Sequence, residues 1–263
     1  MGDGLIPAPV PSEGRPGERG RRGQPSASGR YAVMVCFREI DMPPAAKPPS
    51  PRMANSEAKP ATSARYPLRL LALFLAWWLL LAVAPVYRQD WLLENLLVFI
   101  ALPVLMASYR RLRLSDTAYT LLFVFFALHE LGAHYTYSEV PYDRWAQFLS
   151  GRTLSEAGGL QRNHYDRLVH FLYGLLVTPA VIELLDARAP QRGIWRWLVP
   201  LLFMVSHSTV YELVEWAAAE VFGGDLGQAY LGTQGDVWDA QRDSALAGLG
   251  AAISVIGCRW RKR

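Results

Sequence analysis

The chain has 263 residues, of which 51% are hydrophobic and only 19% charged, whereas a soluble domain usually carries about 25% charged residues. The net charge of +4 comes from residues 1–65, which hold ten Lys/Arg and six Asp/Glu, because residues 66–263 hold 17 of each sign. This distribution gives no support for nucleic-acid binding. Cys36 and Cys258 are too isolated for a disulfide framework or a thiolate zinc site.

The amino-terminal segment is predicted to be disordered. Residues 1–64 are rich in Pro, Gly, Arg and Ser and hold 11 of the 18 prolines, a composition that buries too little apolar surface to fold. The polar lead that follows Met53 predicts that translation starts there, and the alternative is a genuine but disordered cytoplasmic tail. We therefore divide the chain into a tail over 1–64 and a membrane domain over 65–263.

Six apolar segments follow, each near the length of about 20 residues that crosses a bilayer as a helix. They predict an all-α, polytopic transmembrane bundle. The sixth segment is weakly hydrophobic, but its Ser244, Gly248 and Ala252 recur every four residues, which lets a neighbouring helix approach closely. The predicted spans are 70–87, 90–109, 117–135, 166–185, 197–222 and 239–258.

Arginine-rich connections predict the orientation of the bundle, because cytoplasmic loops carry an excess of Lys and Arg. The first loop holds only Arg88, and no Lys or Arg lies between residues 223 and 240. Both termini are therefore expected in the cytoplasm. The basic residues that set this orientation are Arg110, Arg111 and Arg113 after the second span, Arg188, Arg192 and Arg196 after the fourth, and Arg259, Arg261, Lys262 and Arg263 at the end.

Histidines and carboxylates gather near the predicted outer ends of the later spans. A charged group at mid-bilayer costs about 2.5–3.5 kcal/mol on insertion scales, so such groups should face the bundle interior. Glu130 and His134 share a helix face, as do His207 and Glu215. The sequence HELGAH differs from the HExxH motif of zinc proteases, which places histidines four residues apart.

These spacings predict a single polar pocket that opens to the outer face, with Glu212 and Glu215 as candidate general bases. Asp166 is expected to orient His170 by a hydrogen bond. The simpler alternatives are salt bridges from Arg167 or Arg242 to the two glutamates, helix caps by Asp236 and Asp239, and an interfacial aromatic belt of Tyr137, Tyr142 and Trp145. The candidate metal ligands are His129, His134, His170, His207, Asp236 and Asp239.

Four segments of the membrane domain carry a resemblance to a known family: HELGAHYTYSEVPYD (129–143), RNHYDRLVHFLYG (162–174), YELVEW (211–216) and YLGTQGDVWDAQRD (230–243). In this order they resemble the YjdF-like family of bacterial inner-membrane proteins, over about residues 65–258. The resemblance implies a membrane location and a helical fold. The family is a domain of unknown function, so the resemblance assigns no catalytic residue.

Three functions are compatible with the pattern. The first is a structural or accessory membrane protein with a hydrogen-bonded polar core. The second is a metal-dependent intramembrane hydrolase that acts on a lipid or another amphiphile, with a divalent metal such as Zn²⁺ activating water. The third is a small ion- or proton-coupled transporter, although its polar groups lie mostly at one depth. The expected partner is the lipid bilayer, and the oligomeric state stays open.

Overall fold

The computed structural model describes residues 65–261, and all regular structure within this range is helical. The nine helices of the described range confirm the predicted all-α class. The predicted tail over 1–64 and the predicted translation start at Met53 both lie outside the described residues. The helices are α1 (Arg65–Leu81), α2 (Arg88–Ser108), α3 (Asp116–His134), α4 (Tyr142–Ser150), α5 (Leu154–Gly158), α6 (Tyr165–Arg188), α7 (Trp195–Phe222), α8 (Gly224–Leu231) and α9 (Asp239–Arg261).

The six predicted spans correspond to α1, α2, α3, α6, α7 and α9. Among the described residues, three helices are long and apolar enough to cross a membrane by length and composition, namely α2, α6 and α7. The count of six spans therefore stays a prediction. The helix α1 has only 17 residues in its described part, and α9 carries charged residues in both of its terminal turns.

Three short helices, α4, α5 and α8, lie in the connections between the predicted spans. The helix α5 begins with a capping box, in which Thr153 and Glu156 each bond the other's backbone N–H. Asp143 of α4 accepts hydrogen bonds from the backbone N–H (2.9 Å) and hydroxyl (2.5 Å) of Ser155. These bonds join α4 and α5 over one end of the bundle.

The helices α6 and α9 approach so closely that glycine is required on both. A Cβ atom on Gly174 would lie 1.9 Å from the carbonyl oxygen of Ala247, and one on Gly250 would lie 2.1 Å from that of Phe171. Gly248, in the small-residue stripe noted in the sequence, faces Val205 of α7 instead. The closest helix contact is therefore made by the adjacent face of α9.

Apolar side chains face outward over much of the bundle, as expected for a surface in contact with lipid. Leu80 is 62% exposed and Ile100 is 67% exposed, which would mark an interaction surface in a water-soluble protein. Inside the bundle, an apolar cluster of Val181, Met204 and Ala251 fills the space between α6, α7 and α9.

Candidate functional site

Five helices bring carboxyl groups to the same end of the bundle, which we call the acidic end. The groups come from the start of α2, the end of α3, the start of α6, the carboxyl-terminal half of α7, and the turn before α9 with that helix's first two turns. Most of these side chains are buried. The carboxyl groups of the acidic end are Asp90, Glu94, Glu130, Asp166, Glu212, Glu215, Asp236, Asp239 and Asp243.

His129 is held at the acidic end by a buried hydrogen-bond chain. Its Nε2 lies 3.2 Å from the backbone carbonyl of Glu94 and its Nδ1 lies 2.5 Å from the Tyr137 hydroxyl. Because a carbonyl only accepts, Nε2 donates, and Nδ1 of the neutral ring accepts from Tyr137. Burial, followed by the charge of Glu94, raises the pKa of Tyr137 well above its usual value, which keeps the hydroxyl a donor. Both nitrogens of His129 are therefore engaged in hydrogen bonds.

A strained turn places Tyr137 in this chain. Thr136 and Tyr137 both have positive φ angles, 51° and 53°, a conformation that is uncommon for residues other than glycine. The turn brings the Tyr137 ring over Gly132, where an added Cβ would lie 2.5 Å from the ring. Tyr137 is only 8% exposed, so the expectation that it joins an interfacial aromatic belt is wrong.

His170 lies between two carboxylates. Its Nε2 is 3.5 Å from Oδ1 of Asp166 on the same helix and 3.4 Å from Oε1 of Glu212 on α7. One residue earlier on α7, the Tyr211 hydroxyl donates to Oε2 of Glu94 at 2.9 Å. The contact between His170 and Glu212 thus joins α6 to α7, and the bond from Tyr211 joins α7 to α2.

Among the described residues, arginines pair with two of the nine carboxylates, Asp236 and Asp239. Arg162 binds Asp239 at 2.6 Å, and Arg167 contacts both Asp236 and Asp239. Arg242 also contacts Asp236. A backbone hydrogen bond from Trp238, together with these arginines, lowers the pKa of Asp236. The alternative in which Arg167 or Arg242 partners Glu212 and Glu215 is therefore wrong.

Three aspartates converge beside this arginine cluster, and we call them the aspartate triad: Asp166, Asp239 and Asp243. One carboxylate oxygen from each lies within 4.8 Å of the others. Asp243 is 1% exposed, and its Oδ1 has no hydrogen-bond partner among the described residues. Oε1 of Glu212 also forms no hydrogen bond there, although it lies 3.4 Å from Nε2 of His170. Buried polar atoms are normally hydrogen-bonded, so orphaned oxygens call for an explanation such as an ion.

Two cavities adjoin these groups. A narrow cavity of about 50 Å³ is lined by His129, Tyr137, Asp166 and His170, among others. A larger cavity of about 740 Å³ lies between α7, α8 and the start of α9. Its lining combines carboxylates with apolar side chains and includes Asp166, Glu212, Asp239, Leu213 and Trp216.

The predicted site residues separate into several environments. Nδ1 of His134 contacts the Leu81 carbonyl at 2.7 Å, beside α1, and Nδ1 of His207 contacts the Tyr173 hydroxyl at 2.8 Å. His134 lines neither cavity, whereas His207 lines the narrow one together with His129 and His170. Glu212 lines the large cavity, whereas Glu215 lines the narrow one. The catalytic and metal-binding roles given to these residues stay predictions.

Sequence reasoning left three residues out of the candidate site. Asp243 follows Asp239 by four residues, and this spacing on one helix face was the available signal for it. Asp166 was interpreted only as an orienting partner of His170. Glu94 carried no signal, because its partners lie on α3 and α7.

Comparison with known proteins finds one matching family and one similar curated protein. The model of a family described as "Predicted membrane protein (DUF2238)" matches residues 66–263. The inner membrane protein YjdF of Escherichia coli (strain K12) is 38% identical over 172 residues, which cover 64% of this chain and 77% of the relative. No solved structure matches the chain.

Proposed function

The chain belongs to this family of predicted membrane proteins (DUF2238), and from that premise we propose that it is a multi-pass inner-membrane protein whose acidic end binds a divalent metal cation. The observation that carries the proposal is the set of orphaned oxygens beside the aspartate triad. The relative from Escherichia coli is an inner membrane protein, which supports the location.

Charge balance favours a cation over a purely structural polar core. Among the described residues, seven of the nine carboxyl groups at the acidic end have no Arg or Lys within 4.0 Å. Buried carboxylates are costly unless they are paired, protonated or bound to metal. A structural core would satisfy its own hydrogen bonds. Among the described residues, Oδ1 of Asp243 has no hydrogen-bond partner, and Oε1 of Glu212 has only the 3.4 Å contact with His170.

The proposed ligands are the carboxylates of the aspartate triad, and Glu212 lies next to them. This set offers oxygen atoms only, which suits Mg²⁺, Mn²⁺ or Ca²⁺ better than Zn²⁺. This set shares Asp239 with the metal ligands predicted from the sequence and includes none of the four histidines. His170 lies 3.4 Å from Glu212 and 3.5 Å from Asp166, where it would orient both carboxylates.

Orientation follows from the opposite end of the bundle, where the Arg-rich connections of the predicted topology lie. Arg188 donates there to the Arg111 carbonyl at 2.7 Å, and Arg196 pairs with Asp186 at 2.7 Å. The excess of arginine supports a cytoplasmic position for this end and for both termini. The acidic end would then face the periplasm.

Metal binding to the detergent-purified full chain tests the proposal. After chelation and dialysis, calorimetric titration with Mn²⁺ should give one site per chain. Replacing Asp243→Asn or Asp166→Asn should weaken Mn²⁺ binding at least tenfold, since loss of a mere supporting group costs about 10–100-fold. Asp186→Asn, the same change at the opposite end, is the control. Equal Mn²⁺ affinity in all variants, or no bound metal, would refute the proposal.

A second candidate, metal-dependent hydrolysis of an amphiphile, is favoured by the large cavity. Leu213 and Trp216 give it an apolar wall, and Glu212 lies on the same lining as two triad aspartates. Glu212 could there take a proton from a metal-bound water. Release of fatty acid or phosphate from phospholipid vesicles should depend on Mn²⁺ and be lost in Glu212→Gln. Release at the same rate without Mn²⁺ would exclude this candidate.

A further inference from the structure

An apolar groove runs along α1, α2 and α3 at the end opposite the acidic end. It has a volume of about 230 Å³, and its lining includes Leu71, Phe74, Leu102, Leu105 and Phe123. The hydroxyls of two tyrosines are the polar groups of its lining side chains. It takes no part in the proposed metal site.

The groove has the length of one bilayer leaflet. On α2 its lining runs from Val98 to Tyr109, which spans about 16 Å at 1.5 Å per residue. Half of the hydrocarbon core of a bilayer is about 15 Å. Leu68 on α1 and Met106 on α2 line the groove and are 61% and 58% exposed, so the groove opens outward between these helices.

Arginines surround the end of the groove where the three helices meet. The Tyr66 hydroxyl lies 2.7 Å from that of Thr120, which joins the start of α1 to the start of α3. The Tyr109 and Tyr119 rings are 6.2 Å apart, which joins the end of α2 to the start of α3. The guanidinium of Arg113 lies over the Tyr109 ring at 5.2 Å. The exposed arginines on α1 and in the turn after α2, next to this end of the groove, are Arg65, Arg69, Arg110, Arg111 and Arg113.

We propose that this groove binds one anionic phospholipid, with an acyl chain along α1 and α2 and its phosphate at the arginines. Arginine recognises phosphate oxygens through paired hydrogen bonds, and basic clusters beside membrane helices select anionic lipids. The buried Tyr109 hydroxyl, which has no partner among the described residues, supplies a donor near the lipid's ester oxygens. The match between groove length and leaflet favours a lipid over a protein segment.

Native mass spectrometry of the full chain, titrated with dioleoyl phosphatidylglycerol or dioleoyl phosphatidylcholine, tests this proposal. The first lipid should bind at least tenfold more tightly. Each arginine near the headgroup contributes about fivefold in affinity, so Arg69→Gln with Arg110→Gln should reduce phosphatidylglycerol binding about 25-fold. Arg144→Gln with Arg152→Gln, which removes the same two charges from the connection between α3 and α6, should leave this binding unchanged.

A second pair of variants tests the groove itself. Leu102→Trp would fill the groove and should abolish retention of phosphatidylglycerol. Leu96→Trp, on the lipid-exposed surface of the same helix and outside the groove, should retain it. Equal binding of the two lipids, or equal behaviour within either pair of variants, would overturn the proposal. Increased phosphatidylglycerol binding after deletion of residues 1–52 would indicate that the tail occupies the groove instead.

Discussion

The contact between α6 and α9 gives the sharpest prediction for stability, because two glycines face backbone atoms there. In Gly250→Ala, the new Cβ would lie 2.1 Å from the Phe171 carbonyl oxygen and 2.8 Å from the Leu175 nitrogen. Ordinary contact begins at 3.4 Å, so the two helices must separate by about 1.3 Å. Neither contacting atom belongs to a flexible side chain, so local rearrangement cannot relieve the overlap.

The net cost follows from two opposing terms. Alanine favours a helix over glycine by about 1 kcal/mol, whereas overpacking costs about 1–3 kcal/mol and more when the backbone must move. We expect Gly250→Ala to lower the free energy of unfolding by about 2 kcal/mol. Gly257→Ala on the same helix is the matched control, because its Cβ would meet no atom within 4 Å, and it should be neutral or slightly stabilising.

Unfolding in mixed micelles, followed by circular dichroism as sodium dodecyl sulfate is added, measures both variants. Because Asp166 lies on α6 and the other two triad aspartates on α9, separation of the helices should also weaken Mn²⁺ binding in Gly250→Ala. If Gly250→Ala and Gly257→Ala unfold at the same detergent fraction, the described helix contact is not the native one.

Three further predictions concern topology, the His129 chain and pH. Alkaline phosphatase fusions should be inactive after residues 113 and 192 and active near 155 and 228; activity at 113 would reverse the orientation. Tyr137→Phe removes the partner of Nδ1 of His129 and should cost about 1–3 kcal/mol, whereas Tyr135→Phe should cost little in the same unfolding assay. The pKa of Asp236 is lower in the folded protein than its usual value of 3.8, so the ionised carboxylate stabilises the fold at pH values above 3.8. This contribution is lost as the pH falls through the folded pKa, and Asp236→Asn should therefore lose less stability than the unsubstituted protein on acidification below pH 3.8. An unchanged acid profile would contradict the reasoning.

The sequence by itself determined where the long helices lie and which of their ends are polar. Apolar length predicted six segments, and five of them coincide with a helix to within three residues at either end. The first, 70–87, extends six residues past the end of α1 at Leu81. A charged residue in a membrane helix is costly unless it lies near a helix end or has a partner. The positions of the histidines and carboxylates in the sequence therefore already indicated an acidic end. Local spacing also brought Asp239 and Asp243 onto one helix face.

The tertiary structure alone decided which polar groups meet. Asp166 joins Asp239 and Asp243 because close contact at Gly174 and Gly250 fixes how α6 and α9 face each other, and rotation about a helix axis is set by packing between residues far apart in sequence. His129 is engaged by Tyr137 through a turn with two positive φ angles at non-glycine residues, which no turn signature predicts. The sequence therefore indicated one pocket of histidines and carboxylates, whereas helix packing placed three aspartates together beside a cavity that His129, His170 and His207 line. Such sets depend on contacts between helices, which periodicity within one helix does not encode.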